Sequence, residues 1–387
     1  MPHDVIKQHL IDPELCIRCD TCETSCPSHA ITHDINNYVV DTDICNGCLD
    51  CIAGCPTGSI DNWRMVPRAA AYSVAEQLTW TELPAALEFE GVAEIPEGHA
   101  HGAPESAPAP VENLYTRENP LPAKLVETRR LTAAESPSEI RHIVLETAED
   151  FAILEGQSIG IVPPGVDEAG RRHIMRLYSV ANARGGEGGL KNRVALTVKR
   201  VLEDHQGTPH IGLCSNHVCD MQIGDVAEVT GPHGRSFLMP DDPAATLLMI
   251  ATGTGVAPMR AMLLQRLLRR REITGRQILF YGGRTPEEMP YYDDLLALPK
   301  GFADIKFAVS RVAGTPKRYV QDALRVQREL VADCLADENC YIYLCGLKGM
   351  ESGVLEAFEA ICRQNGTDWP ALAAKLKAAN RLHIETY

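Results

Sequence analysis

Long apolar runs are missing from this chain of 387 residues. None approaches the ~20 residues that a membrane-crossing helix needs, so no spanning segment is expected. Base is scarce relative to acid, with 37 Lys and Arg against 52 Asp and Glu. The resulting net charge of −15 argues against nucleic acid and anionic membrane surfaces as partners. The opening MPHDVIKQHL has no charged stretch leading into an apolar one, so a secretory leader is not expected and a cytoplasmic location is. Paired Glu-x-x-His motifs, which build di-iron centres in helical bundles, are absent. The single match, Glu139 with His142, falls in a strand-like stretch. No internal repeat is found beyond one duplicated cysteine run.

Cysteine is what the chain holds in quantity, 14 in all. Eight fall in two near-identical runs, Cys16-x-x-Cys19-x-x-Cys22-x-x-x-Cys26-Pro27 and Cys45-x-x-Cys48-x-x-Cys51-x-x-x-Cys55-Pro56. Three thiolates spaced by two residues wrap one iron–sulfur cube, and the fourth ligand comes from the far run. On this pattern Cys16, Cys19, Cys22 and Cys55 hold one [4Fe-4S] cluster, and Cys45, Cys48, Cys51 and Cys26 the other. The prolines turn the chain so that the fourth thiolate crosses over. Zinc knuckles pair two Cys-x-x-Cys units and stop at four ligands, a pattern that does not require three evenly spaced ligands and a Cys-Pro twice. Disulfides need an oxidising compartment that nothing here suggests. Cys214, Cys219, Cys334, Cys340, Cys345 and Cys362 are scattered and read as small buried apolar residues. Around the clusters Asp12, Glu14, Asp20, Glu23, Asp34, Asp41, Asp43 and Asp50 make an acidic skin. It suits a basic redox partner and serves plain solubility equally well.

The pattern changes three times along the chain. Residues 1–66 form the cluster module. Residues 67–120 combine a helix-like stretch at 69–83 with a linker rich in Pro, Ala, Gly and Glu over 94–115, a composition that cannot build a core. Residues 121–243 carry short alternating strands at 124–127, 139–145, 158–162, 193–201 and 226–230, which predicts an antiparallel barrel. Residues 244–387 open on a continuous apolar strand, 246–251, followed by a glycine turn and an amphipathic helix. Further buried strands at 277–281, 305–309 and 341–345 alternate with helical sequence, which predicts a doubly wound parallel sheet. The fold class is therefore α/β plus all-β: a bacterial ferredoxin module, an antiparallel barrel and a parallel-sheet nucleotide domain.

The turn Thr252-Gly253-Thr254-Gly255 exposes backbone amides and a helix N-terminus to a pyrophosphate. Pro258 stands where a full dinucleotide fingerprint has its third glycine. Over residues 121–387, and in order, the chain resembles the ferredoxin–NADP reductase family. Arg176-Leu177-Tyr178-Ser179 is similar to that family's flavin signature. The resemblance implies that Arg176 binds the FAD pyrophosphate, Tyr178 stacks on the isoalloxazine and Ser179 sits near its N5. It further implies FAD contacts from the strand holding Thr197 and Lys199 and from Gly212, Cys214 and Ser215. Thr252, Gly253, Gly255 and Pro258 resemble the NADP pyrophosphate loop. Cys345 resembles the cysteine beside the nicotinamide, Glu385 the acid that supports proton and hydride traffic, and Tyr387 the terminal aromatic that shields the flavin. Read singly, Tyr178 is also a barrel-edge aromatic, Cys345 a core residue and Tyr387 a chain end.

Ser310, Arg311, Lys317 and Tyr319 follow the strand at 305–309, and at that spacing the family's plant-type members grip a 2′-phosphate. A dianion favours cations and hydroxyls, whereas a free ribose hydroxyl favours a carboxylate, and none ends this strand. NADPH is therefore the expected nucleotide, with a solvated basic loop as the bland alternative. Hydride arrives as an electron pair and a cube accepts one electron; FAD mediates between them. The expected cofactors are FAD, two [4Fe-4S] clusters and NADPH. The fusion as a whole resembles the reductase components of oxygenase systems, which implies electron delivery to a separate di-iron oxygenase.

Overall fold

The computed structural model describes residues 5–48, 51–52, 55, 57, 59–60, 62–84, 102–117, 119–166, 170, 172–173, 175–203, 208–312, 314 and 316–386. The chain divides into two compact units, residues 1–100 with 166–174, and residues 101–165 with 175–387.

The first unit is built on two small antiparallel ribbons. β1 (Val5–Leu10) pairs with β4 (Asn62–Pro67), and β2 (Ile31–His33) with β3 (Tyr38–Val40). Two-stranded ribbons are marginal on their own. Here Ile11, Ala30, Ile31, Tyr38, Val40 and Ile60 close over the cysteines in one apolar cluster. His9 stacks on its cross-strand partner Trp63 at 4.0 Å, and His33 on Tyr38 at 4.4 Å. The helix expected at 69–83 is reduced to Val74–Gln77, preceded by a 3-10 turn at Arg68–Ala70. Side chains from the ribbons compete for its backbone. Gln8 takes both the N–H and the carbonyl of Tyr72, and Asn37 binds the carbonyls of Gln77, Leu78 and Trp80. In the reverse direction the Gln77 side chain binds the N–H and the carbonyl of Val40.

The second unit has two halves. Its barrel comprises β5 (Leu121–Arg130), β6 (Ile140–Glu146), β7 (Ser158–Val162), β8 (Arg176–Ser179), β9 (Arg193–Lys199) and β10 (Val226–His233), in the order β8-β7-β10-β5-β6-β9. A bridge from Val180 to Leu196 joins the two outer strands and closes the cylinder. Leu125, Ile143, Leu145, Ile159, Ile161 and Leu196 alternate inward and fill it. Residues 94–101 of the expected linker lie outside the described residues. The described end is held against the barrel, because Asn113 and Tyr115 bond the backbone of Pro232 and Gly231, and Gln157 binds the Val111 carbonyl. Small and polar linker residues thus gain order from the barrel's backbone rather than from a core of their own.

The other half is a five-stranded parallel sheet. β11 (Thr246–Thr252), β12 (Gln277–Gly283), β13 (Asp304–Val309), β14 (Cys340–Gly346) and β15 (Leu382–Thr386) run in the order β13-β12-β11-β14-β15. β11 is buried on both faces, as its unbroken apolar sequence requires. The chain leaves β11 for β12 on one side and returns to β14 on the other. Between β11 and β14 the connections diverge, and a crevice opens beyond their carboxyl ends.

Candidate functional site

That crevice is where the glycines act. β11 ends in Thr252, a 3-10 turn spans Gly253–Gly255, and the helix Val256–Leu268 follows. Gly255 packs directly on the end of β14: a Cβ there would lie 2.1 Å from the carbonyl oxygen of Cys345. Gly346, at φ 148°, would place a Cβ 2.3 Å from Thr252 Oγ1. The Thr252 hydroxyl accepts the Leu347 N–H at 3.2 Å and ties the two strand ends together. Pro258 sits in the first turn of the helix, where no backbone N–H is needed, so it replaces a glycine without losing a bond.

Beyond these ends lies a cavity of about 590 Å³. Thr252, Gly253, Ser310, Arg311, Lys317 and Tyr319, all expected at the nucleotide site, line this one cavity. Lys199, expected on a flavin strand, also lines this cavity. Arg284 and Glu288 were not anticipated; they sit on the irregular turn after β12, where no motif marks them. The lining carries four cations, Lys199, Arg284, Arg311 and Lys317, against the single carboxylate of Glu288. Such an excess fits a phosphorylated nucleotide and opposes a ligand selected through its free ribose hydroxyls.

At the edge of the cavity half, Cys345 and Glu385 are register partners on β14 and β15. Burial raises the Cys345 thiol and pushes the Glu385 carboxyl up to about 7. A carboxyl poised there can hold or release a proton near neutrality. On the barrel, Arg176 is exposed, while Tyr178 and Ser179 are half-buried on β8. Ser179 Oγ lies 3.5 Å from Ser158 Oγ. Cys214 is buried with its sulfur toward the Ile161 carbonyl, and Ser215 donates to the Gly212 carbonyl and accepts the Val201 N–H. The Thr197 hydroxyl is engaged 2.8 Å from Tyr291 Oη, a partner on the parallel-sheet half. Tyr387 lies outside the described residues.

In the first unit the eight cysteines sort into two groups. Cys16, Cys19, Cys22 and Cys55 act electrostatically on one another, and Cys51 does so with Cys26, Cys45 and Cys48. The grouping has the same membership as the expected ligand sets. Burial and neighbouring thiolates push Cys16 and Cys51 up to about 11, a mutual repulsion that bound iron would relieve. Among the described residues no three cysteine sulfurs lie within 4.8 Å of one another. Two quartets of thiols, each with three ligands from one run and one from the other, are a donor set that suits two iron–sulfur clusters. Local donors face two of the sulfurs: the Ala30 N–H donates to Cys26 at 3.3 Å, and Ser59 Oγ lies 3.3 Å from Cys55. All fourteen cysteines are free.

Residues 249–356 match the oxidoreductase NAD-binding domain family, and residues 15–59 the 4Fe-4S dicluster domain family. The chain is 37% identical over 286 residues to the cyanelle ferredoxin–NADP reductase of Cyanophora paradoxa, covering 71% of this chain and 78% of that protein. It is 35% identical over 288 residues to the ferredoxin–NADP reductase of Thermosynechococcus vestitus, covering 71% and 75%. The ferredoxin–NADP+ reductase of Plasmodium falciparum superposes with a TM-score of 0.57 at 25% identity, over 71% of this chain and 99% of that one. By its barrel, its parallel sheet and this shared sequence the chain belongs to the ferredoxin–NADP reductase family, and it carries a 4Fe-4S dicluster segment in addition.

Proposed function

We propose that this protein takes electrons from NADPH, passes them through FAD to two [4Fe-4S] clusters, and delivers them to a separate oxygenase. The observation that carries the reading is the presence, on one chain, of two cysteine quartets and a cationic nucleotide cavity beside a flavin-type barrel edge. FAD supplies the exchange between paired and single electrons. Arg176 and Tyr178 hold it on the barrel, with Gly212, Cys214 and Ser215 behind. Arg311, Lys317, Ser310 and Tyr319 select the 2′-phosphate, while Thr252, Gly253 and Gly255 cradle the pyrophosphate. A Plasmodium relative is recorded with 2′P-AMP, which supports a 2′-phosphate reading here. Ser179, Cys345 and Glu385 would border the hydride path and limit water and stray protons there, and Tyr387 is assigned the shielding role by the family resemblance alone. Cys16, Cys19, Cys22 and Cys55 ligate one cluster, and Cys26, Cys45, Cys48 and Cys51 the other.

For the acceptor we propose a di-iron benzoyl-CoA 2,3-epoxidase of aerobic benzoate breakdown, so that this chain is its reductase component. The domain order supports this, as does the lack of paired Glu-x-x-His motifs that would give the chain its own di-iron centre. A second reading, a general NADPH–ferredoxin oxidoreductase, is favoured by the names of the relatives. Mixing the purified chain with its candidate oxygenase separates the two. The first reading predicts oxygen uptake and NADPH oxidation that depend on benzoyl-CoA. NADPH oxidation with artificial acceptors but no response to benzoyl-CoA leaves the general oxidoreductase.

A further inference from the structure

The barrel and the parallel-sheet half meet through a buried polar knot centred on Tyr291. Its side chain is almost wholly enclosed. Its hydroxyl lies 2.8 Å from His142 Nδ1 on β6 and 2.8 Å from Thr197 Oγ1 on β9. Arg260, on the helix Val256–Leu268, covers the tyrosine ring at 4.8 Å. The same guanidinium makes two 2.9 Å bonds to Glu187 and donates to the Ala181 carbonyl. Glu187 in turn stands 3.7 Å from His142 Nε2. At that distance the pair is an electrostatic contact rather than a hydrogen bond, and it favours the tautomer with the hydrogen on Nε2, which leaves Nδ1 to accept from Tyr291. With that tautomer Thr197 donates to the tyrosine oxygen. Burial holds His142 down to about 4 and Tyr291 up to about 12, so both stay neutral and keep this arrangement.

Packing alone does not account for the knot. Tyr291 adopts a left-handed backbone, φ 58° and ψ 20°, which a bulky residue disfavours. It ends the turn that follows β12, and the other side of that turn is the cavity wall carrying Arg284 and Glu288. Within the turn, Glu287 gives its carbonyl to the Ala133 N–H of the barrel half. Met289 fills the space over Gly283, where a Cβ would meet it at 2.2 Å. The wall is thus short and tightly packed; at its end the Tyr281 hydroxyl holds the Pro290 carbonyl from within the sheet, and Tyr291 ties the wall to the barrel strands β6 and β9.

We infer that Tyr291 is a positioning residue that fixes the nucleotide cavity wall to the barrel and so sets the approach of the nicotinamide to the flavin. This rests on the functional reading above, and the test separates the two. In the full-length protein loaded with FAD, Tyr291→Phe keeps the ring and removes the hydroxyl; Thr197→Val breaks the knot from the barrel side and leaves the cavity wall unchanged. Stopped-flow bleaching of the flavin at saturating NADPH reads hydride transfer, and the long-wavelength absorbance of the flavin–nicotinamide pair reads their stacking. The expected result is a loss of about tenfold or more in transfer rate in both variants, since a misplacement near 1 Å costs up to about a hundredfold. The stacking band should change with it, while affinity for 2′-phospho-AMP and flavin content hold within about twofold. An unchanged transfer rate in both variants overturns the inference, as does a loss of 2′-phospho-AMP affinity that matches the loss of rate. Unmutated protein that NADPH cannot bleach overturns the functional reading, and this inference with it.

Discussion

Replacing Arg311 and Lys317 together with alanine should convert the protein from an NADPH enzyme to one that barely distinguishes NADPH from NADH. Both residues line the cavity and both are exposed, so their hold on a phosphate is weakened by water. A charge-assisted bond to a dianion at such a site contributes about 1.4 kcal/mol, a factor of about ten, and two contribute about a hundredfold. Lys199 and Arg284 remain in the variant and keep the pyrophosphate region cationic. kcat/KM for NADPH should therefore fall about a hundredfold, and that for NADH by no more than about twofold. The assay uses ferricyanide as acceptor, so that no protein partner enters. Raising the salt concentration should shrink the difference, because exposed charges are screened. Equal losses with the two nucleotides, or no loss with NADPH, would refute the assignment of the 2′-phosphate subsite.

Other expectations follow from single contacts. Glu385 is held near 7 rather than its ordinary value near 4.5, so the folded state retains a proton that the unfolded state gives up. Its contribution to stability is present below about 4.5 and is lost as pH rises through 7, about 3 kcal/mol in all. Glu385→Gln should remove that slope from the pH dependence of the urea midpoint, and a difference between variant and parent that stays flat with pH would contradict the shift. Gly255→Ala would drive a methyl group into the Cys345 carbonyl, and nucleotide affinity should fall at least about tenfold while the clusters are retained. Full nucleotide binding in that variant would deny the close approach of β11 and β14. Cys55→Ala should cost the cluster shared with Cys16 and spare the other, halving iron per chain; loss of the Cys45 cluster instead would reverse the crossing.

Much of this was written in the sequence, and the exceptions have physical causes. The duplicated cysteine runs and the apolar strand ending in Thr252-Gly253 are local signals, and they sit where spacing and period place them. β15, by contrast, is an unflanked LHIET whose identity as a strand comes only from pairing with β14. The helix expected at 69–83 has helical composition, but Gln8 and Asn37 capture its backbone from a distance. Arg284 and Glu288 reach the cavity from a turn without a motif. Thr197 reads as a flavin residue from its strand and spends its hydroxyl on Tyr291, a contact between residues 94 apart in the chain. Long-range polar partners of this kind leave no periodic trace.

The central claim is that electron pairs enter at the parallel-sheet half and leave singly through the cysteine quartets. Anaerobic titration of the full-length protein with NADPH, followed at once by flavin absorbance and by low-temperature electron paramagnetic resonance, tests it most directly. The account predicts protein containing about eight iron and eight sulfide per chain, flavin that bleaches, and reduced-cluster signals that grow as it does. Flavin fully reduced by excess recycled NADPH while iron-bearing clusters stay silent, or protein without iron altogether, would contradict it.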